Sequence, residues 1–264
     1  MTRALITGCS TGIGRATAIE LTTRGYDVVA TARRPETIAD LEVAERLALD
    51  VTSAVSVEAA VAAAGEIDVL VNNAGLSVGG PIENVPLARA KAVFETNVWG
   101  PARMIQEIAP GMRARNRGAI VNVSSAAGRS ADPLNGYYSA SKWALEALSE
   151  AVDLELSHWG IRVIVIEPGY IATQMHERTE RYGMNEPPYD ELARIFDDYA
   201  AELFTSDPPG PAVVATAIAD ALEEDAPALR HPVGADAELV VTARQSMTYE
   251  QFLAALRNLR PIEW

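Results

Sequence analysis

Cysteine is almost absent from this chain. Cys9 is the only one, which excludes an intrachain disulfide and fits a reducing compartment. Positive charge is also short, with 22 Lys and Arg against 36 Asp and Glu and a net charge of −14. That balance speaks against nonspecific binding to nucleic acid or to an anionic membrane, so an anionic ligand needs a local cationic patch. No apolar run is long enough to span a bilayer. Met1-Thr2-Arg3 passes straight into Ala4-Leu5-Ile6-Thr7-Gly8 with no signal-peptide core, so a soluble cytoplasmic protein is expected. His158, His176 and His231 lack metal-ligand spacing, and no metal site is expected. Gly/Ser-rich linkers and solenoid-period repeats are missing as well, which favours one domain over residues 1–264.

What is present is an ordinary globular composition, 48% hydrophobic, enough for a sizeable core. Short β-branched runs alternate with helical stretches. Strands are expected at Ala4–Thr7, Asp27–Thr31, Arg46–Leu49, Asp68–Asn72, Ala119–Ser124 and Arg162–Glu167. Helices are expected at Ile13–Arg24, Val55–Ala64, Leu87–Arg113, Tyr137–His158 and Pro211–Glu224. Alternation of this kind implies an α/β fold, a doubly wound parallel sheet with helices on both faces. The stretch from Ala228 to Trp264 should hold a last strand and a short helix, Tyr249–Leu259.

Thr7-Gly8-Cys9-Ser10-Thr11-Gly12-Ile13-Gly14 follows the first strand and opens the first helix. Glycine lets the backbone turn tightly and approach a phosphate, and the helix N-terminus offers free N–H groups. The segment reads as a dinucleotide-binding loop with glycine spacing unlike the usual G-x-G-x-x-G. The end of the second strand selects between cofactors. A site for NAD places an acid there to hold the ribose 2′-hydroxyl. This chain has Thr31-Ala32-Arg33-Arg34 and no acid before Glu36. A guanidinium suits a 2′-phosphate, so NADP(H) is expected over NAD(H), with Arg33 the main contact and Arg34 or Thr31 in support.

Tyr138 and Lys142 are four residues apart in a helical segment, one turn apart on one face. An ammonium within about 4–6 Å favours a phenolate and lowers its pKa by roughly 1–3 units, so the pair is a candidate acid/base. Tyr137 has no Lys at that spacing and is expected to pack or to face substrate. Cys9 is expected to be a small buried filler.

Together these segments resemble the short-chain dehydrogenase/reductase family, the compact type built on one NAD(P)-binding Rossmann-like domain, over residues 3–173. The resemblance implies a catalytic tetrad of Asn97, Ser125, Tyr138 and Lys142. Ser125 is chosen over Ser124 because it lies thirteen residues before Tyr138. It implies cofactor contacts from Gly8, Ser10, Thr11, Gly12, Ile13 and Gly14, then Arg33 and Arg34, Asp50 and Val51, and Asn73, Ala74 and Gly75. Tyr138 and Lys142 join them, with Pro168, Gly169, Ile171 and Thr173 around the nicotinamide amide. It implies a homodimer or homotetramer in which helices Leu87–Arg113 and Tyr137–His158 pair. The implied activity is hydride exchange between a small-molecule ketone or aldehyde and an alcohol, with Tyr138 the proton carrier, Ser125 the donor to substrate oxygen, and Asn97 the anchor of a relay water.

Residues 174–211 follow the nicotinamide segment and are expected to be a substrate loop or lid. They carry Met175, Tyr182, Met184, Tyr189, Phe196, Tyr199 and Phe204, and Leu192, Ile195, Phe196, Tyr199 and Leu203 recur at helical spacing. Apolar lining suits a bulky apolar substrate such as a steroid or retinoid. The subgroup resembled most is the one acting on hydroxysteroids and retinoids. A polar-substrate carbonyl reductase and an NADP(H)-binding regulator without turnover remain as alternatives. A nucleotide-free lyase or dehalogenase is disfavoured by the glycine loop, and an extended epimerase by the short C-terminal region.

Overall fold

The structure is a computed structural model, and it describes residues 1–205 and 208–259. The side chains of Tyr199, Leu203 and Phe204, expected in the lid, lie outside the described residues. The elements run in chain order: β1 (Arg3–Ile6), α1 (Gly12–Thr23), β2 (Asp27–Ala32), β3 (Glu45–Ala48), α2 (Ala54–Ala64), β4 (Val69–Asn72), β5 (Val78–Gly79) and α3 (Leu87–Phe94). They continue with α4 (Gly100–Arg115), β6 (Gly118–Val123), α5 (Gly136–Leu156), β7 (Ile161–Pro168), α6 (Met175–Arg178), β8 (Glu180–Arg181), α7 (Asp190–Thr205), α8 (Ala212–Glu223), β9 (Arg230–Val233), α9 (Ala235–Ser246) and α10 (Tyr249–Leu259).

Seven parallel strands form one sheet in the order β3-β2-β1-β4-β6-β7-β9. Leu5 sits between Val29 of β2 and Leu70 of β4. Side chains alternate between the faces. Ala4 and Ile6 join Val28, Ala30, Val71, Val121 and Ile164 under α1 and α8. Leu5, Val29, Leu70, Ile120 and Val163 turn the other way and meet Met104, Ile108 and Met112 of α4. With both faces covered, the strands read as continuous apolar runs rather than alternating ones. Strand order reverses beside β1, and ligands of such sheets bind outside the carboxyl ends of the strands at that point. Among the described residues, no helix is long and apolar enough to cross a membrane.

The expected helix Leu87–Arg113 is broken. A π-helical turn, Glu95–Trp99, separates α3 from α4. Asn97 is drawn out of the helix line toward Leu76, and Gly100 packs so closely on Val51 that a Cβ would stand 2.8 Å from Val51 Cγ2. Pro101 brings no N–H to the next turn. Two further features lay outside the sequence reading. Helix α9 buries only Ala237 and Val241, so its apolar stripe is too thin to signal itself. The two-residue strands β5 and β8 pair through Val78 with Glu180 and Gly79 with Arg181.

Candidate active site

The glycine loop leaves β1 and is fastened to the segment after β4. The Asn73 side-chain amide donates to the carbonyls of Thr7 at 2.9 Å and Gly8 at 3.2 Å. The Thr7 hydroxyl oxygen accepts from the backbone N–H of Asn73 and Ala74. Gly8 and Gly12 have φ of +76° and +59°, a region that favours glycine. A Cβ on Gly14 would overlap the Asn73 amide and stand 2.5 Å from the Gly8 carbonyl oxygen. The loop is therefore drawn as tight as backbone allows. Ser10, Thr11 and Gly12 line a cleft of about 470 Å³. Arg15, Thr37, Asp40, Ala172, Thr173, Gln174 and Pro211 complete its walls, and Arg15 pairs with Asp40. An elongated anionic ligand fits a cleft with a glycine cradle and a helix N-terminus at its floor.

Arg33 and Arg34 are exposed beyond the end of β2. Burial acts to raise the Asp50 pKa, but the Thr52 hydroxyl and N–H and the charge of Arg33 outweigh it and hold the carboxyl below its ordinary range. Arg33 and Asp50 thus lie within each other's field. Thr31 does not join them. It is buried and its hydroxyl donates to the Ile6 carbonyl at 2.9 Å, so the expected support from Thr31 is corrected. Val51 and Ile171 are buried, and Ile13 packs against the core. Cys9 is fully buried, and burial pushes its thiol up to about 12, as a filler requires.

Ser125, Tyr138 and Lys142 come together between the end of β6 and α5, and Asn97 of the π-helical turn reaches the Tyr138 backbone through Ser141. Ser125 follows β6, and its hydroxyl lies 3.4 Å from the Pro168 carbonyl while accepting the N–H of Ala127 at 3.1 Å. It also hydrogen-bonds the half-buried Tyr138 phenol. Lys142 is buried, and its Nζ donates to the Val123 carbonyl at 2.8 Å. Nζ lies 5.7 Å from the Tyr138 ring centroid. The pair shares one face of α5, as its spacing requires, but its electrostatics differ from the expectation. Burial raises the Tyr138 pKa and the Ser125 bond offsets this only in part. Burial also pulls Lys142 down to about 8, against the opposing charge of Glu146. Loss of hydration is the dominant influence on both groups. Asn97 is buried and spends its side chain on protein. Its Oδ1 accepts the Leu76 N–H at 2.8 Å, and its Nδ2 donates to the Leu76 carbonyl and to Ser141 Oγ, each at 2.9 Å.

Two contributors escaped the sequence reading. Ser141 Oγ accepts from Asn97 and donates to the Tyr138 carbonyl at 2.6 Å, linking the two. Asp236, in the first turn of α9, accepts the Tyr170 N–H at 2.7 Å. A Cβ on Gly169 would collide with that carboxylate, while the Gly169 N–H donates to Val233 at 3.0 Å. The loop from Pro168 to Thr173 is therefore clamped from the C-terminal end of the chain. An acid at a helix start is the signal for Asp236, legible only once α9 is assigned.

Residues after Thr173 pack back onto β5 and the start of α5. The Tyr182 N–H donates to the Gly79 carbonyl at 3.0 Å, and Glu180 pairs with Arg89. Tyr182 and Tyr137 pack with Val78, Val85 and Val93, while Tyr189 and Phe196 pack with Leu134, Met184 and Leu192. Met175 comes beside Gly75, where a Cβ would stand 3.6 Å from its methyl carbon.

Residues 2–182 match the sequence profile described as short chain dehydrogenase. Human (Homo sapiens) retinol dehydrogenase 8 is 36% identical over 246 residues, 86% of this chain and 79% of that one. A short-chain dehydrogenase from Streptomyces avermitilis superposes with a TM-score of 0.84 at 32% identity, covering 100% of this chain and 98% of its own. One from Burkholderia cenocepacia, solved in complex with NADP, gives 0.78 at 29% identity, with 96% of each chain covered. One from Burkholderia phymatum, in complex with NAD, gives 0.78 at 26%, covering 96% of this chain and 95% of its own. A profile that spans most of the chain and a relative 36% identical along 86% of it place this protein in the short-chain dehydrogenase/reductase family of oxidoreductases.

Proposed function

We propose that this chain is an NADP(H)-dependent oxidoreductase that interconverts a ketone or aldehyde and an alcohol, acting on an apolar substrate of steroid or retinoid size. The observation that carries the reading is the Tyr138 phenol hydrogen-bonded to Ser125, with a buried Lys142 one turn behind it. Residues 1–264 act as one domain, with 174–211 as the substrate loop.

The glycine cradle, the Asn73 clamp and the cleft fit a dinucleotide. Ser10, Thr11, Gly12, Ile13 and Gly14 would hold its phosphates, Asp50 and Val51 its adenine end, and Ala74, Gly75, Ile171 and Thr173 its nicotinamide end. Arg33 and Arg34 favour a 2′-phosphate. Once bound, the cofactor supplies the hydride. Tyr138 supplies the proton. A phenol carries its proton at neutral pH, as an acid that donates to a developing alkoxide must. Ser125 Oγ holds the same oxygen from the other side. Lys142 stands where its ammonium favours release of the phenolic proton. Asn97 fixes the backbone at Leu76 and, through Ser141, the start of α5.

The apolar clusters that hold Tyr137, Leu134, Tyr182 and Met184, with Met175 beside Gly75, favour a substrate with little polarity. That human retinol dehydrogenase 8 aligns along most of the chain points the same way. The test is a panel of carbonyl compounds with NADPH and with NADH, followed by the near-ultraviolet absorbance of the reduced cofactor. Turnover of bulky apolar carbonyls with NADPH ahead of NADH supports the reading. Preference for NADH, or for small polar carbonyls, contradicts its finer parts, and binding without turnover contradicts it altogether.

A further inference from the structure

Lys142 has a charged neighbour that the proposed chemistry does not use. Glu146 lies one turn further along α5 and is 3% exposed. Its Oε2 accepts from Arg230 Nε of β9 at 2.9 Å. The same nitrogen stands 3.6 Å from Glu167 Oε1, on β7, and Glu167 is 0% exposed. Arg230 also pairs with Glu150 of α5, and Arg129, from the turn after β6, approaches Glu167 at 3.7 Å. Among the described residues, Glu146 Oε1, both Glu167 oxygens and Ser124 Oγ have no hydrogen-bond partner. A Cβ on Gly128 would stand 2.9 Å from Ser124 Oγ, 3.1 Å from Glu146 Cγ and 3.3 Å from the Lys142 carbonyl carbon. Glu146 and the base of Lys142 therefore pack against the same turn, and both residues are buried.

Burying three charged groups so close together is costly for fold stability, and hydrophobic residues would fill the space at less cost. Their placement has an electrostatic consequence. An isolated buried ammonium surrenders its proton readily. Burial pulls Lys142 downward, and Glu146 is the one charge that pushes it back up. Arg230 Nε, bonded to Glu146 Oε2 at 2.9 Å, fixes that carboxylate from β9.

We propose that Glu146 is a positioning residue for the Tyr138–Lys142 pair, the buried anion that keeps Lys142 an ammonium, with Arg230 holding it in register from β9. The inference rests on the reading of Lys142 as the partner of Tyr138. The groups that face Lys142 and Glu146 are Tyr138 and Glu150 from α5, Ser124 and Ser125 after β6, Arg129, Glu167 from β7 and Arg230 from β9.

The sequence makes a direct test possible. The chain has only two lysines, Lys91 and Lys142. Lys91 is exposed and serves as the internal reference. Lysine labelled with carbon-13 at Cε gives two NMR signals, assigned with Lys91→Arg, and each is titrated in the free protein. Glu146→Gln should lower the Lys142 midpoint by about one pH unit, a tenfold weaker proton affinity, and leave Lys91 in place. Glu146→Asp, which retains the charge, should restore most of the midpoint, and Glu167→Gln should move it less than Glu146→Gln. In turnover, the alkaline limb of kcat/KM should move down with the midpoint in Glu146→Gln. A Lys142 midpoint that stays put in folded Glu146→Gln overturns the inference, as does one moved as far by Glu167→Gln. A changed KM with an unmoved alkaline limb also overturns it, because that is a structural role only. Failure of the catalytic reading shows separately, as absent turnover by the unaltered protein.

Discussion

Lys142 Nζ donates to the Val123 carbonyl at 2.8 Å and lies 5.7 Å from the centre of the Tyr138 ring. The ammonium is anchored to the central sheet, and the phenol lies within its field rather than in contact with it. Lys142→Ala removes that field, so turnover should fall by roughly 10²–10⁴, the range for loss of positioned proton transfer. Lys142→Arg should not restore it, since the planar guanidinium cannot replace a compact ammonium in a buried slot. Steady-state kinetics of both variants, with circular dichroism to verify the fold, checks this.

Arg33 is exposed and makes no ion pair among the described residues, whereas its charge reaches Asp50. Arg33→Asp should shift cofactor preference toward NAD(H) and change stability by no more than about 0.5 kcal/mol, the usual range for an exposed site. The ratio of kcat/KM for the two cofactors, with a thermal melt beside it, gives both numbers.

Gly14 has no room for a side chain between Asn73 and the Gly8 carbonyl. Gly14→Ala must push the glycine loop away from the segment after β4. A cost of about 1–3 kcal/mol is expected from overpacking, together with weaker NADPH binding. Chemical denaturation measures the first and fluorescence titration the second. A variant that melts and binds as the parent does would show that the two segments are not clamped.

Asp236 holds the Tyr170 N–H from a helix remote in sequence. Asp236→Ala should loosen the loop after β7 and weaken cofactor binding about tenfold, equivalent to about 1.4 kcal/mol. Asp236→Asn, which keeps an acceptor, should lose less. Titration of NADPH against both variants tests the clamp without any substrate.

Glu167 gives the fold a pH signature. Burial first, and then the charge of Glu146, push its pKa from 4.5 in the free side chain to about 7. A raised carboxyl pKa means that the folded chain binds the proton more tightly than the unfolded one. Its contribution is complete below about 4.5 and is lost as pH rises through about 7. Melting temperature should therefore decline across that window, and Glu167→Gln should flatten the decline. Equal slopes in the two proteins would contradict this assignment.

The sheet was legible because its strands are buried on both faces and separated by helices of ordinary length. Only their ends shift, as with Ala4–Thr7 against Arg3–Ile6. The glycine loop and the Tyr138–Lys142 spacing were legible because each depends on local backbone geometry. Three things were not. The break at Asn97 depends on the Leu76 backbone, twenty-one residues away in sequence. Helix α9 buries too little to leave a periodic signal. The raised pKa of Tyr138 depends on how thoroughly neighbours exclude water, which spacing does not encode. Thr31 was misplaced for a related reason. The strand continues to Ala32, so its hydroxyl turns into the sheet instead of toward a ligand.

The most direct measurement compares the unaltered chain with Tyr138→Phe in NADPH oxidation by a bulky apolar ketone or aldehyde. The phenyl ring keeps the packing and removes only the hydroxyl that bonds Ser125. NADPH binding should persist in Tyr138→Phe while turnover falls by roughly 10²–10⁴. A Tyr138→Phe protein that keeps most of its turnover would contradict it.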